Sequence, residues 1–345
     1  MDVPRSLISK AGAAKPGELP PISEAARIAG AEEHQITIDG ITWRFLRAGS
    51  GPPLLLVHGL MGYSWSWRFN IRELAQNFTV IAPDLPGCGF SQRSNSLAGC
   101  LENDAEGLLT LMDRLGFDEF SLIGSSRGGG VSIALAGLLA KRGRMDRLSR
   151  MILSAAINPW SSFGQRRARW LSTLPGQQYV IHVEPRLPSI LMMYYRELYG
   201  NPSRIAEGSV AGYAAGLLVP RSFHYLARMM RVWHSGLQLV ESTLPWLQEL
   251  PILLLWGSRD AAVYPSSSYE LQDRLANSAL LMMDGVGHMP YEEVPAEFNH
   301  IVCEFLLRHN PRTPLESVAG DSTGSDMPRI APAVEPAPIR SRVVR

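Results

Sequence analysis

The chain has 345 residues, 46% of them hydrophobic and 19% charged, with 33 Lys+Arg against 32 Asp+Glu and a net charge of +1. That length holds one large α/β domain with an insertion or two small domains, and that balance belongs to a globular chain with a sizeable core. It speaks against a nucleic-acid partner: the basic runs at 141–150 and 166–169 are short, Asp146 interrupts the first, and both read as solvated helix faces. Cys88, Cys100 and Cys303 are too few and too scattered for a disulfide framework and form no CxxC pair for zinc. No stretch reaches the ~18 uninterrupted apolar residues of a membrane helix, and the start of the chain, with Asp2, Arg5 and Lys10, has no apolar run of signal-peptide length. The expectation is a cytoplasmic protein without a membrane span that acts on a small molecule, its oligomeric state open.

Residues 1–33, rich in Ala, Gly and Pro without sustained periodicity, read as a loosely attached N-terminal arm. Residues 35–39 and 42–47 read as strands, 54–57 as a fully buried run, and 67–75 has helical spacing. The pattern repeats: a strand at 78–82, a long amphipathic stretch at 97–115 stopped by Gly116, a strand at 120–123, a helix at 131–140 and a strand at 151–155. After a gap come strands at 252–256 and 280–283 and a helix at 295–309. Short apolar runs separated by helices imply a parallel sheet covered on both faces.

The gap at 159–244 holds no convincing buried strand, only helix-like segments rich in Trp, Tyr, Met and Arg, broken by Pro185, Pro188, Pro202 and Pro220. It reads as a helical lid over the sheet edge where open α/β sheets bind ligands. The core is then 34–158 together with 245–310. Residues 311–345, Pro-rich and without an aromatic residue, read as a disordered tail.

The strand at 120–123 runs directly into Gly124-Ser125-Ser126-Arg127-Gly128-Gly129-Gly130, and Val131 opens an apolar helix. This is GxSxG at a strand-to-helix turn. A nucleophile on so tight a turn needs small neighbours two before and two after it, and Gly124 and Gly128 supply them. The helix N-terminus behind the turn brings a positive dipole end to a developing oxyanion. A phosphate-cradling loop also opens a helix after a strand. The order G-S-S-R-G-G, however, is neither GxGxxG nor a P-loop.

A serine hydroxyl is a poor nucleophile at neutral pH and needs a base. Among eight histidines, His288 stands in Gly285-Val286-Gly287-His288-Met289-Pro290, a turn after the last expected strand, at the sheet edge of Ser126. His34, His182, His224, His234, His300 and His309 lack such a setting. An imidazole in turn needs a carboxylate to fix its tautomer. Asp260 ends the apolar run 251–256 through Gly257-Ser258-Arg259 and emerges at the same edge; a turn-forming Asp is the alternative in isolation. Glu292 and Glu293 follow His288 too closely to reach its far nitrogen and read as solvent-facing or helix-capping. Residues 54–57 lead into His58-Gly59-Leu60-Met61-Gly62, whose position makes the backbone N–H groups of Leu60 and Arg127 the oxyanion-hole donors, with His58 bracing the loop.

These residues resemble the α/β-hydrolase superfamily, in the branch of cofactor-free esterases, C–C bond hydrolases, epoxide hydrolases and haloalkane dehalogenases. The matching pieces are His58-Gly59 with Trp65 and Trp67 downstream, Asp84-Leu85-Pro86-Gly87-Cys88-Gly89-Phe90-Ser91, the elbow around Ser126, Trp256-Gly257-Ser258-Arg259-Asp260, and Gly287-His288. The resemblance implies an α/β-hydrolase fold, a mostly parallel doubly wound sheet with a helical lid inserted before the strand carrying the acid, and no metal or organic cofactor. Dehalogenases and epoxide hydrolases of this branch place Asp at the elbow where this chain has Ser126, so acyl transfer to serine is implied instead. Ser125 and Arg127 depart from the more familiar His and Met or Gln; Arg127 either steers a carboxylated substrate or pairs with an acid on the helix surface.

The expected activity is hydrolysis of a carboxylic ester of a small, largely apolar substrate through an acyl-enzyme, with Ser126 as nucleophile, His288 as base and Asp260 as its acid. Trp160 and Met289 are the expected substrate contacts. A C–C hydrolase of diketones, a thioesterase, a lactonase and an acyltransferase use the same triad, and a ligand-binding protein on the same fold is the non-enzymatic alternative.

Overall fold

Residues 24–161, 169–182, 193 and 195–307 are described by a computed structural model. The expected tail at 311–345 and the first 23 residues of the expected arm lie outside the described residues.

Each of the eight apolar runs becomes a strand: β1 (Glu32–Ile38), β2 (Ile41–Ala48), β3 (Pro53–Val57), β4 (Thr79–Pro83), β5 (Phe120–Ser125), β6 (Leu148–Ser154), β7 (Ile252–Gly257) and β8 (Ser278–Met283). They form one sheet in the order β1-β2-β4-β3-β5-β6-β7-β8. β1 and β2 are an antiparallel hairpin turned by Asp39-Gly40, with φ of 49° and 75°, the left-handed pair that a tight hairpin turn requires. β2 joins β4 antiparallel, and from β4 onward all pairs are parallel. β4 lies on one side of β3 and β5 on the other, so chain direction across the sheet reverses at β3. The crevice at that switch point, outside the carboxyl ends of β3 and β5, is where such sheets take ligands.

Alternation along the buried strands sends side chains to two cores. Leu55, Val57, Leu122, Leu153, Leu254 and Trp256 pack on one face with α3 (Leu101–Arg114) and α4 (Arg127–Lys141). Leu54, Leu56, Ile123, Ile152, Leu253 and Leu255 pack on the other with α11 (Pro295–Leu306). Both faces being covered explains why the strands read as continuous apolar runs rather than as alternating ones.

Three segments differ from expectation. The arm is not loose from Glu24 onward: α1 (Glu24–Ala29) buries Ala25, Ala26 and Ala29, a short helix of good helix formers seated on the second core. The helix expected at 67–75 is a 3₁₀ turn, Ser64–Trp67, followed by the single turn α2 (Ile71–Leu74). Buried Asn70 separates them, its amide donating to Tyr291 O at 3.0 Å and to Asn299 Oδ1 at 2.8 Å. The helix expected from 97 begins at Leu101 because Arg228 Nη1 holds the carbonyls of Ser94 at 2.9 Å and Leu97 at 3.2 Å in an irregular turn.

Between β6 and β7 the described residues form helices α5 (Leu174–Ile181), α6 (Ser209–Leu217), α7 (Ser222–Arg231) and α8 (Trp233–Thr243), with no strand among them. α9 (Ser266–Gln272) and α10 (Pro290–Glu293) complete the described set. Cys88, Cys100 and Cys303 are free thiols. No described helix is long and apolar enough to cross a membrane.

Candidate active site

β5 ends at Ser125, α4 starts at Arg127, and the residue between them, Ser126, has φ 53° and ψ −120°. For a residue with a Cβ this backbone costs on the order of 1–3 kcal/mol, so something must hold it. Its N–H donates to Ser154 O at 2.9 Å, and its own carbonyl accepts from Gly129 N and Ile157 N, both at 3.0 Å. The turn is thereby pinned to β6 and to the first turn of α4, and Ser126 stays half-exposed. Met61 and Ala155, at the ends of β3 and β6, are also non-glycine residues at positive φ, 61° and 48°. Backbone strain gathered at one sheet edge is characteristic of a functional site.

The small neighbours prove sterically necessary. A Cβ on Gly124 would lie 2.5 Å from Gly128 O, and one on Gly128 would lie 2.3 Å from Val57 O and 2.5 Å from His58 O. Those are backbone atoms of α4, of the end of β3 and of the residue after it, and they cannot swing aside. Gly128→Ala is expected to cost about 1–3 kcal/mol of stability through this overpacking, read as a lower urea midpoint, and to disturb the Ser126 turn.

His288 and Asp260 meet across two strand ends. Asp260 follows β7 and His288 follows β8; Nδ1 of His288 lies 2.9 Å from Oδ2 of Asp260, with both side chains buried. The other carboxylate oxygen accepts Ala262 N at 2.8 Å and Val263 N at 2.9 Å, which fixes the carboxylate plane. With Nδ1 donating to Asp260, Nε2 is the free basic nitrogen. Among the described residues Ser126 Oγ makes no hydrogen bond to His288; such contacts are often long in unliganded sites and tighten with substrate.

The loop after β3 backs onto the serine turn. A Cβ on Gly59 would touch Ser126 Cβ at 3.0 Å, so glycine there allows the loop to lie against the elbow. Among the described residues neither Leu60 N–H nor Arg127 N–H is engaged with a protein acceptor. His58 braces this loop: fully buried, its Nδ1 donates to Gly59 O at 2.9 Å and its Nε2 accepts from Leu85 N at 3.0 Å. Leu85 in turn belongs to a loop held by Asp84, whose carboxylate accepts Ser64 N at 2.8 Å, Phe90 N at 2.8 Å and Arg44 Nη1 at 2.9 Å.

Burial pushes the His58 imidazole down to about 4. The unfolded chain titrates at the ordinary ~6.5, so between these values the unfolded state holds a proton that the folded state does not, and stability falls as pH drops. The contribution is whole above ~6.5 and is lost toward pH 4, about 3 kcal/mol in all. His58→Asn is expected to flatten the pH dependence of unfolding in this window, measured by urea titrations at stepped pH.

With this geometry in view, the comparisons with known proteins decide the family. The model of the alpha/beta hydrolase fold matches residues 52–295. The chain belongs to the alpha/beta hydrolase fold family. It is 28% identical to haloalkane dehalogenase 2 of Mycobacterium tuberculosis over 278 residues, which cover 75% of this chain and 90% of that protein. The solved structure of an epoxide hydrolase without ligand superposes with a TM-score of 0.69 at 23% identity, covering 80% of this chain and 98% of that one. A meta-cleavage product hydrolase from Pseudomonas fluorescens superposes with a TM-score of 0.64 at 24% identity, covering 79% and 97%. The protein is an enzyme, a hydrolase.

In this hydrolase several side chains stand elsewhere than expected. The Arg127 guanidinium is buried, not on the surface: Nη2 donates to Asp104 Oδ2 at 2.7 Å and to Gly99 O at 2.8 Å, tying α4 to α3. It is committed to that pair rather than to a carboxylated substrate. Trp160 is half-buried with the Arg274 guanidinium 4.2 Å from its ring centroid, so that face is covered. Met289 packs in the second core. These contacts give no support to either residue as a pocket wall. Of the aromatic and methionine residues expected in the lid, Tyr195, Phe223, Met229 and Met230 are buried, Trp170 and Met193 are exposed, and Met192 and Tyr194 lie outside the described side chains.

Glu292 and Glu293 correct a further expectation, since both are buried rather than solvent-facing. Glu292 pairs with buried Arg68 and accepts the Tyr213 hydroxyl at 3.1 Å. Burial raises its carboxyl above the usual range against the pull of Arg68. Glu293 accepts Gly287 N, one residue before His288, at 2.8 Å. The signal was present in the sequence: two acids enclosed by Met289-Pro290-Tyr291 and Val294-Pro295 lack the polar surroundings of a solvated face.

Proposed function

We propose that this hydrolase cleaves a carboxylic ester of a small, largely apolar substrate through an acyl-enzyme on Ser126. The observation that carries the reading is the serine itself, presented half-exposed on a strained turn at the switch point of the sheet. His288, with Nδ1 held by Asp260, takes the hydroxyl proton at Nε2 as Ser126 attacks the carbonyl carbon. The backbone N–H groups of Leu60 and Arg127 receive the oxyanion, one from the loop against the elbow and one from the start of α4. His288 then protonates the leaving alkoxide and next draws a proton from water, whose oxygen releases the acid and frees the serine.

The insertion between β6 and β7 serves as the lid. The dehalogenase and epoxide hydrolase among the similar proteins act, by their names, on other bonds. Serine at position 126 favours acyl chemistry over the alkyl-enzyme route of an elbow carboxylate.

C–C hydrolysis uses the same three residues, and the meta-cleavage product hydrolase among the structural neighbours keeps it as the second reading. A panel of aryl esters graded by acyl length, assayed beside vinylogous diketones, separates the two. Higher kcat/KM on the esters is the expected result; higher kcat/KM on the diketones overturns the ester assignment and leaves the triad standing.

A further inference from the structure

We propose that Glu293 is a positioning residue for His288, fastening the histidine turn to the base of the insertion so that the seat of the insertion sets the pose of the imidazole. This rests on the reading of His288 as the base.

The Glu293 side chain is fully buried and its two oxygens accept four donors from two separate stretches of chain. Oε2 takes Gly287 N at 2.8 Å and Gly200 N at 3.0 Å, and Oε1 takes Asn201 N at 2.9 Å and Arg204 Nη1 at 3.1 Å. Gly287 adjoins His288, whereas Gly200, Asn201 and Arg204 belong to the insertion. A buried carboxylate accepting several N–H groups is a strong fixed point, because charge-assisted hydrogen bonds are about twice as strong as neutral ones.

Steric fit shows the same joint independently. A Cβ on Gly287 would lie 2.2 Å from Leu198 O and 2.4 Å from Gly200 N, and one on Gly200 would lie 2.4 Å from Gly285 O. The two backbones therefore touch, and His288 N itself donates to Leu198 O at 2.7 Å. The start of the histidine turn is tied to the loop after β7, with Arg259 N donating to Val286 O at 2.9 Å and Gly285 N to Ser258 Oγ at 2.8 Å, whereas the backbone N–H groups of Gly287 and His288 go to Glu293 and to insertion backbone. Glu292, one residue earlier, ties the same short helix α10 to Arg68 and to Tyr213 of α6. Displacing the insertion would pull on α10 and the histidine turn together.

Glu293→Gln sets an amide NH₂ where a carboxylate oxygen now meets two donors. Kinetics with a chromogenic ester, normalised to active sites titrated by a fluorophosphonate, remove any contribution from unfolded molecules. Per titrated site, kcat is expected to fall about 10- to 100-fold, the scale of a misplaced catalytic group, with KM changed less than about 3-fold. Arg204→Ala, whose side chain is 39% exposed at the outer end of the clamp, is expected to fold normally and to lose about 2- to 5-fold in kcat. A kcat per site within about 2-fold of wild type in every variant that folds overturns the proposal. If His288→Ala itself keeps wild-type activity, the base reading fails instead, which separates the two failures.

Discussion

Ser126→Ala is expected to lower kcat for ester hydrolysis on the order of 10⁴- to 10⁶-fold with little change in KM, the loss typical of removing an acyl-forming nucleophile. The hydroxyl makes no hydrogen bond to the protein among the described residues, so alanine removes no structural contact, and the φ of 53° suits alanine no worse than serine. The folded state should therefore persist, with a thermal midpoint within a few degrees of wild type, as expected of a substitution that leaves no buried polar group unpaired. Activity lost together with the fold would instead place Ser126 among the structural residues.

Asp260→Asn is the second large effect, expected to cost about 10⁴-fold in kcat. Oδ1 of Asp260 accepts two backbone donors, Ala262 N and Val263 N, at 2.8 and 2.9 Å. An asparagine must keep its carbonyl oxygen toward those donors and turn its NH₂ toward His288. Nδ1 would then accept rather than donate, and the proton would move to Nε2, the nitrogen that has to remove the Ser126 proton. The variant should fold, because each hydrogen bond keeps a donor and an acceptor, yet the base would be blocked at neutral pH. Equal kcat in the two proteins would mean that Asp260 does not set the tautomer.

Much of the architecture was legible because parallel strands covered on both faces are unbroken apolar runs, and Leu54 to Val57, Met151 to Leu153 and Ile252 to Trp256 are such runs. Ser126, Asp260 and His288 were legible as candidates because each lies within a few residues of the end of β5, β7 or β8, strands whose carboxyl ends share one edge. What sequence reading missed was held by tertiary contact rather than by local pattern. The helix expected at 67–75 is broken because Asn70 bonds to Tyr291 and Asn299, more than 200 positions away. Glu292 and Glu293 carried a local sign of burial in their apolar and proline neighbours, but the partners that keep them there, Arg68 and the backbone at 200–201, are remote in sequence. Arg127 looked like a surface cation because Asp104, its partner, lies on another helix.

Those misses bear on function, since the polar groups beneath the reacting edge are its supports. Glu293 holds Gly287 beside His288, as His58, already expected to brace its loop, holds the backbone behind Ser126, and a reacting constellation is only as well placed as the residues behind it.

The central claim, that Ser126 is the nucleophile, is tested most directly by treating the protein with a fluorophosphonate and mapping the adduct by peptide mass spectrometry. A single adduct on Ser126 is expected, formed much more slowly in His288→Ala and absent in Ser126→Ala. An adduct on another residue, or labelling of Ser126→Ala at the wild-type rate, would contradict it.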